Sequence, residues 1–145
     1  HSCYYAAVSQ LWKKLGLGGS HRGDDENVIA RTLKSGGAFF LMFDNDFIIG
    51  TSWITNDQRR LYLHHMGIHE KYQNQGLGLQ LLQHSINWAQ EQKLQLKLEV
   101  HPDNHSAVYL YKKAGFKKLG DYDVFIIRDY EQLTKTNSKN TNNRL

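Results

Sequence analysis

Two glycines one residue apart, Gly76 and Gly78, close the stretch Tyr72-Gln73-Asn74-Gln75-Gly76-Leu77-Gly78, and the apolar run Leu79 to Ala89 follows at once. This spacing predicts a tight loop feeding a helix N-terminus. The first backbone N–H groups of a helix have no partner inside it, and the macrodipole adds partial positive charge there. Glycines let an anion approach such a backbone closely, so a phosphate or pyrophosphate is the natural guest. Just before the loop stand two imidazoles, His64 and His65, which titrate near neutrality and are candidate bases. Alternation along a strand puts them on opposite faces, so at most one looks into any given cleft. The eight histidines offer no pair with a convincing ligand spacing and further ligands nearby, and no metal site is expected. Cys3 has no persuasive partner and reads as structural or incidental.

Positioning these groups requires an ordered set of elements. Tyr5 to Leu15 carries Tyr5, Val8, Leu11, Trp12 and Leu15 on one helical face, and Gly16, Gly18 and Gly19 end it. A second helix is predicted to start near Asp24 and to stop at Gly36-Gly37, with Val28, Ile29 and Leu33 apolar. Ala38 to Phe43, Phe47 to Ile54 and Arg60 to Ile68 then read as strands of an antiparallel meander. Asp44-Asn45-Asp46 and Asn56-Asp57-Gln58 supply its turns. A helix over Leu77 to Glu91 follows, with Leu79, Leu82, Ile86 and Ala89 inward. Leu94 to Val100 alternates cleanly, and the intervening helix makes it a parallel neighbour of the Arg60 strand in a right-handed βαβ unit. Asn104 is a good N-cap for a helix carrying Ala107, Leu110, Tyr111 and Ala114 inward, with Gly115 at its end. Phe116 to Leu119 and Asp123 to Arg128 are expected to finish the sheet as a hairpin.

Composition narrows the function classes. The 145 residues fit one domain, and 40% hydrophobic with 22% charged residues is ordinary for a globular chain. No apolar run approaches the roughly 20 residues of a membrane span, no signal-peptide-like run is visible, and a single cysteine suits a reducing compartment. A cytoplasmic protein without a membrane partner is expected. Net charge is +4, but Lys135, Lys139 and Arg144 lie in a terminal stretch without acids; removing them from 18 cations leaves 15 against 14 acids. The body is therefore near neutral and carries no nucleic-acid footprint. Residues 1–131 are read as one domain, and the polar residues 132–145 as a disordered tail.

The segment Ile68-His69-Glu70-Lys71-Tyr72-Gln73-Asn74-Gln75-Gly76-Leu77-Gly78 resembles the acetyl-CoA-binding motif of the GCN5-related N-acetyltransferases, the GNAT family. That pattern is Gln or Arg, two residues, Gly, one residue, then Gly or Ala, and Gln73, Gly76 and Gly78 satisfy it. Leu98-Glu99-Val100 with Asn104, Ala107, Leu110-Tyr111 and Gly115-Phe116 resembles the family's following strand and helix. The match covers roughly Ala38 to Ile127. Tyr-Gln-x-Gln-Gly-Leu-Gly and Leu-Glu-Val are also similar to the alanine N-acetyltransferases that modify ribosomal proteins. The family has a strand before its first helix, which nothing before Tyr4 supplies.

The resemblance implies an α/β (α+β) GNAT fold: a mixed, mostly antiparallel sheet, a central parallel strand pair splayed around acetyl-CoA, and helices on both faces. It implies an N-acetyltransferase that moves the acetyl group to a primary amine by direct attack in a ternary complex. The amine is a peptide or protein amine, or a small one such as a polyamine or aminoglycoside; the acids Asp44, Asp46 and Asp57 suit a polycation. The alternative is a non-catalytic acyl-CoA sensor. Gln73, Asn74, Gln75, Gly76 and Gly78 would hold the pyrophosphate, backbone at Met66 and Ile68 the pantetheine and acetyl carbonyl, and Asn104 a further cofactor contact. Tyr111 stands where the family has the acid that protonates the CoA sulfur; a phenol of pKa about 10 is protonated at neutral pH. Its neighbour Tyr109 reads as a buried aromatic. Glu99 stands at a general-base position, with His64, His65 or water as alternatives. Family members are monomers or homodimers.

Overall fold

The computed structural model describes residues 4–18 and 23–133; Cys3 and the tail from residue 134 onward lie outside them. The first helix, α1 (Tyr5–Leu15), buries Val8, Leu11 and Trp12, the face its spacing predicts, and ends on Gly16 in the left-handed region at φ 69°. In α2 (Glu26–Lys34) the cap is Asp25, whose carboxylate accepts the Val28 N–H at 2.9 Å. Asp24, one residue earlier, is engaged elsewhere.

Three strands follow as the expected meander: β1 (Ala38–Asp44), β2 (Phe47–Asn56) and β3 (Leu61–Ile68). β1 pairs with β2 and β2 with β3, both antiparallel. A 3-10 turn at Glu70–Tyr72 leads into α3 (Leu77–Glu91), and β4 (Leu96–Leu98) returns parallel to β3. The last helix, α4 (His105–Ala114), is capped by Asn104 Oδ1, which accepts the Ala107 N–H at 3.3 Å. The sheet order is β1-β2-β3-β4.

Each face of the sheet carries its own core. Against α1 and α2 lie Val8, Leu11, Trp12, Ile48 and Trp53; against α3 and α4 lie Ile54, Leu61, Leu63, Leu82 and Ala89. Between α3 and β2 the buried hydroxyls of Ser52 and Ser85 bond at 2.7 Å, and Ser85 also donates to the Leu81 carbonyl. These bonds satisfy polar groups where water does not reach.

Three expectations are corrected. The buried residues of α3 are Leu81, Leu82, Ser85 and Ala89; Ile86 packs on the same core as expected, while Leu79 is half-buried outside it. The helix packs on the sheet and on α4 together, which turns its buried arc away from Leu79. β4 is three residues long rather than seven. The closing hairpin over residues 116–128 is not formed: Val124, Phe125 and Ile126 are 71%, 91% and 67% exposed, without strand pairing. Strand propensity expresses fit to a pleated neighbour, and three residues of β4 supply little of one. The parallel pair β3–β4 consequently ends the described sheet.

Candidate active site

The loop ahead of α3 is drawn back onto the sheet by one side chain. Gln73 Nε2 donates to the Ile68 carbonyl at 2.8 Å, and the Tyr72 N–H reaches the His69 carbonyl at 2.8 Å. Asn74 and Gly76 then take positive φ, 63° and 81°. The first bond of α3 runs from the Gln80 N–H to the Gly76 carbonyl at 3.2 Å, and no side chain caps the helix. Among the described residues the amides at the start of α3 are therefore left for an outside acceptor.

The two glycines differ in what they do. A Cβ at Gly76 would meet nothing within 4 Å, so the space above this left-handed residue is open. A Cβ at Gly78 would touch Leu110 at 3.5 Å and Ile68 at 3.7 Å, ordinary contacts on the inner side of the helix. Gly78 thus brings α3 close to β3 and α4 rather than clearing a path for an anion. The backbone conformation at Gly76 is what the loop needs from glycine.

Beside this loop, β3 and β4 part. Their rungs are Leu61 with Leu96, Tyr62 with Lys97, and Leu63 with Leu98, after which β3 continues on β2 alone. The His69 N–H bonds the Ile49 carbonyl on β2, so alternation points the N–H groups of Ile68 and Met66 away from β2, toward the open side. The Ile68 carbonyl is already taken by Gln73.

A β-bulge sits where the strands separate. Thr51 pairs with Gly67 but Trp53 with His64, so β3 holds one extra residue, and His65 adopts φ 44°. The bulge is pinned by a buried chain: Trp12 Nε1 donates to Thr51 Oγ1 at 2.9 Å, and Thr51 Oγ1 donates to the His65 carbonyl at 2.8 Å. It also overturns the alternation argument for the two histidines. Both rings lie on the α1/α2 face, 5.3 and 5.6 Å from the Trp53 ring and 6.3 Å from each other. An extra residue shifts side-chain alternation by one. His65 Nε2 is held by the Asp24 carboxylate at 2.7 Å. His64 Nε2 is 2.8 Å from Thr55 Oγ1, and burial pushes the His64 pKa below its ordinary 6.5.

Tyr111 is on the other face, its ring 5.7 Å from that of Phe116. Burial raises its pKa above the usual 10.0, and its hydroxyl makes no hydrogen bond among the described residues. Tyr109, expected to be buried, is 68% exposed, with the Lys113 ammonium 6.0 Å from its ring. Residues two apart on a helix face different ways, so only one of the two tyrosines can reach the core. Glu99 is exposed just past the last β3–β4 rung. Asp44 accepts from the Tyr72 hydroxyl at 2.7 Å, and Asp57 accepts the Arg59 and Arg60 N–H groups at 2.8 and 2.6 Å. They stand at opposite ends of β2, roughly 30 Å apart at strand rise, so the turn acids form no single patch. The described residues contain no group of three or more His, Cys, Asp or Glu able to hold a metal ion. What sequence reasoning missed is the bulge, signalled only by the adjacent polar pair His64-His65 inside an apolar strand.

Comparison with known proteins identifies a family. Residues 5–116 match the profile of the acetyltransferase (GNAT) family. The chain is 31% identical over 91 residues to the probable N-acetyltransferase san of Drosophila melanogaster, covering 59% of this chain and 50% of that protein. It therefore spans about half the length of the curated relative it matches. A GNAT-family acetyltransferase from Staphylococcus aureus Mu50 superposes with a TM-score of 0.71 at 25% identity over 85% of each chain. Another, from Elizabethkingia anophelis with acetyl-CoA bound, gives 0.55 at 30% identity over 64% of this chain and 61% of that one.

Proposed function

The chain belongs to the acetyltransferase (GNAT) family, and on that premise we propose that it transfers the acetyl group of acetyl-CoA to a primary amine by direct attack within a ternary complex. The observation that carries this reading is the uncapped start of α3 opening beside the parted strands β3 and β4. Bound there, acetyl-CoA supplies an activated thioester; the chain supplies binding, orientation and proton movement.

The amides of Gln75, Gly76 and Gly78, with Gln73 and Asn74 shaping the loop, hold the pyrophosphate at the positive end of the helix. The open-side N–H groups of Met66 and Ile68 serve the pantetheine amides and polarise the acetyl carbonyl. Asn104 commits its Oδ1 to the α4 cap and keeps its amide nitrogen for a cofactor contact. Tyr111, protonated at neutral pH and moved further from ionisation by burial, donates a proton to the departing sulfur. Glu99, at the mouth of the parting on the other side, provides the carboxylate that draws in the amine as a cation. The acceptor is the amine of a peptide or protein, or of a small polyamine or aminoglycoside.

Calorimetric titration of acetyl-CoA and CoA into wild type and Gly76→Glu tests the cofactor site. Glutamate puts a negative charge into the open space above Gly76, so wild type is expected to bind both ligands and the variant neither. Wild type that binds neither ligand would sink the reading. Thiol release from acetyl-CoA in the presence of a free-α-amine peptide, spermidine or kanamycin then separates a transferase from a sensor that only binds.

A further inference from the structure

The loop ahead of α3 takes a conformation that must be held from outside. Asn74 sits at φ 63° and Gly76 at φ 81°, and a residue with a Cβ keeps the left-handed region only where its surroundings fix it there. Gln73, Asn74, Gln75 and Gly76 are all exposed, so no core packing does this. Their placement rests on the hydrogen bonds of the turn that leads into them.

Most of those bonds are local. The His69 imidazole accepts the Lys71 N–H at 3.1 Å, the Tyr72 N–H reaches the His69 carbonyl, and Gln73 reaches back to the Ile68 carbonyl. They shape the turn and tie it to the end of β3. The His69 N–H, on the Ile49 carbonyl, is the last backbone link to β2. Among the described residues, the hydrogen bond that joins the rest of the loop to a distant segment is that of the Tyr72 hydroxyl, which donates to Asp44 Oδ2 at 2.7 Å across 28 positions of the chain.

Asp44 is a fixed anchor. It ends β1, paired with Phe47 across a tight turn in which Asn45 takes φ 52°. Its carboxylate is a stronger acceptor than a neutral oxygen. The Tyr72 ring stands edge-on to the His69 imidazole with 5.8 Å between centres, so ring and hydroxyl are both engaged. The bond to Asp44 raises the Tyr72 pKa above its usual 10.0, and the phenol is a donor at neutral pH.

We propose that Tyr72 is a positioning residue for the cosubstrate: its hydroxyl, moored on the Asp44 carboxylate of the β1–β2 hairpin, holds the loop ahead of α3 in the shape that meets the pyrophosphate. This rests on the transferase reading above. The bond lies at the surface, and a surface substitution there leaves overall stability nearly unchanged. Its effect falls instead on the fraction of molecules whose loop is ready, and the apparent dissociation constant is the intrinsic one divided by that fraction. Were Asp44 only a negative charge near the loop, it would repel a diphosphate, and removing it would tighten binding; the mooring predicts the opposite sign.

The test is calorimetric titration of CoA into wild type, Tyr72→Phe, Asp44→Ala, the double variant and Asp44→Asn, with thermal denaturation of each. Tyr72→Phe and Asp44→Ala should each weaken CoA binding about fivefold, and the double variant no more than either, because the two groups act as one bond. Asp44→Asn keeps an acceptor oxygen and should stay within about twofold of wild type. Melting temperatures should agree within about 2 °C. With an amine that wild type acetylates, Tyr72→Phe should raise KM for acetyl-CoA by the same factor and hold kcat within about twofold, a split that general damage to the site would not give. Wild-type affinity in Tyr72→Phe, tighter binding by Asp44→Ala, or losses that add in the double variant would each overturn the proposal and leave the transferase reading standing. Wild type that binds no CoA would overturn both.

Discussion

Tyr111 is held still further from ionisation than an ordinary phenol by its surroundings. The packing that lays its ring against Phe116 also withdraws the phenol from water, and this raises its pKa. Tyr111→Phe keeps the ring and removes only the hydroxyl, so kcat should drop about 100-fold while acetyl-CoA affinity in calorimetry stays within about twofold. An unchanged kcat would remove Tyr111 from the chemistry. The glycine pair gives a second contrast between neighbouring residues. Gly76→Ala forces a Cβ into the left-handed region and should cost about 1–2 kcal/mol, although the space around it is open. Gly78→Ala meets only ordinary contacts and improves helix propensity by about 1 kcal/mol, so it should be neutral or stabilising. Thermal denaturation of the two variants should give shifts of opposite sign or, at the least, a clear gap in favour of Gly78→Ala. Equal losses would mean that the loop conformation is not what the glycines are for.

Among the elements, β3 carries the most information because it is irregular. Its bulge is held by Thr51, which is fully buried and serves as both acceptor for Trp12 and donor to the His65 carbonyl. Thr51→Val retains the shape but orphans both groups away from water, and chemical denaturation should show a loss of about 1–3 kcal/mol per unsatisfied group. A change under 0.5 kcal/mol would show that water replaces the hydroxyl. The same strand marks the limit of what the amino-acid order reveals. α3 is legible to its terminal residues, Leu77–Glu91, because glycine, apolar period and length all agree. The meander is legible because its turns are rich in Asn and Asp. A bulge leaves no such trace: it is decided by the pairing of Thr51 and Trp53 with β3, far away in sequence. Alternation therefore assigns His64 and His65 to opposite faces when they share one. The segment after α4 fails for a related reason. Val124, Phe125, Ile126 and Ile127 are strand-prone, but propensity does not create the neighbour that a strand must lean on. Of the candidate site residues, the loop glycines and Tyr111 stand out by motif spacing; that β3 and β4 part after Leu63 and Leu98 does not show in the amino-acid order.

At the scale of the whole molecule, two cores clasp one sheet, and the candidate site lies where the sheet stops being continuous. The amides of Met66 and Ile68 face that discontinuity without a strand opposite them. Acetyl-CoA bound there would put amide groups where a fifth run of backbone would otherwise pair, and so contribute to folding as well as to chemistry. Ligand at 100 times its dissociation constant adds about 2.7 kcal/mol to stability. A protein of this size should accordingly melt about 10 °C higher in saturating CoA. Gly76→Glu should show no such rise. Hydrogen exchange offers a finer reading: the amides of residues 66 and 68 should slow on ligand addition while those of β1 keep their rates. The gap between β3 and β4 is an unfinished seam in the secondary structure, and bound acetyl-CoA would be the thread that closes it.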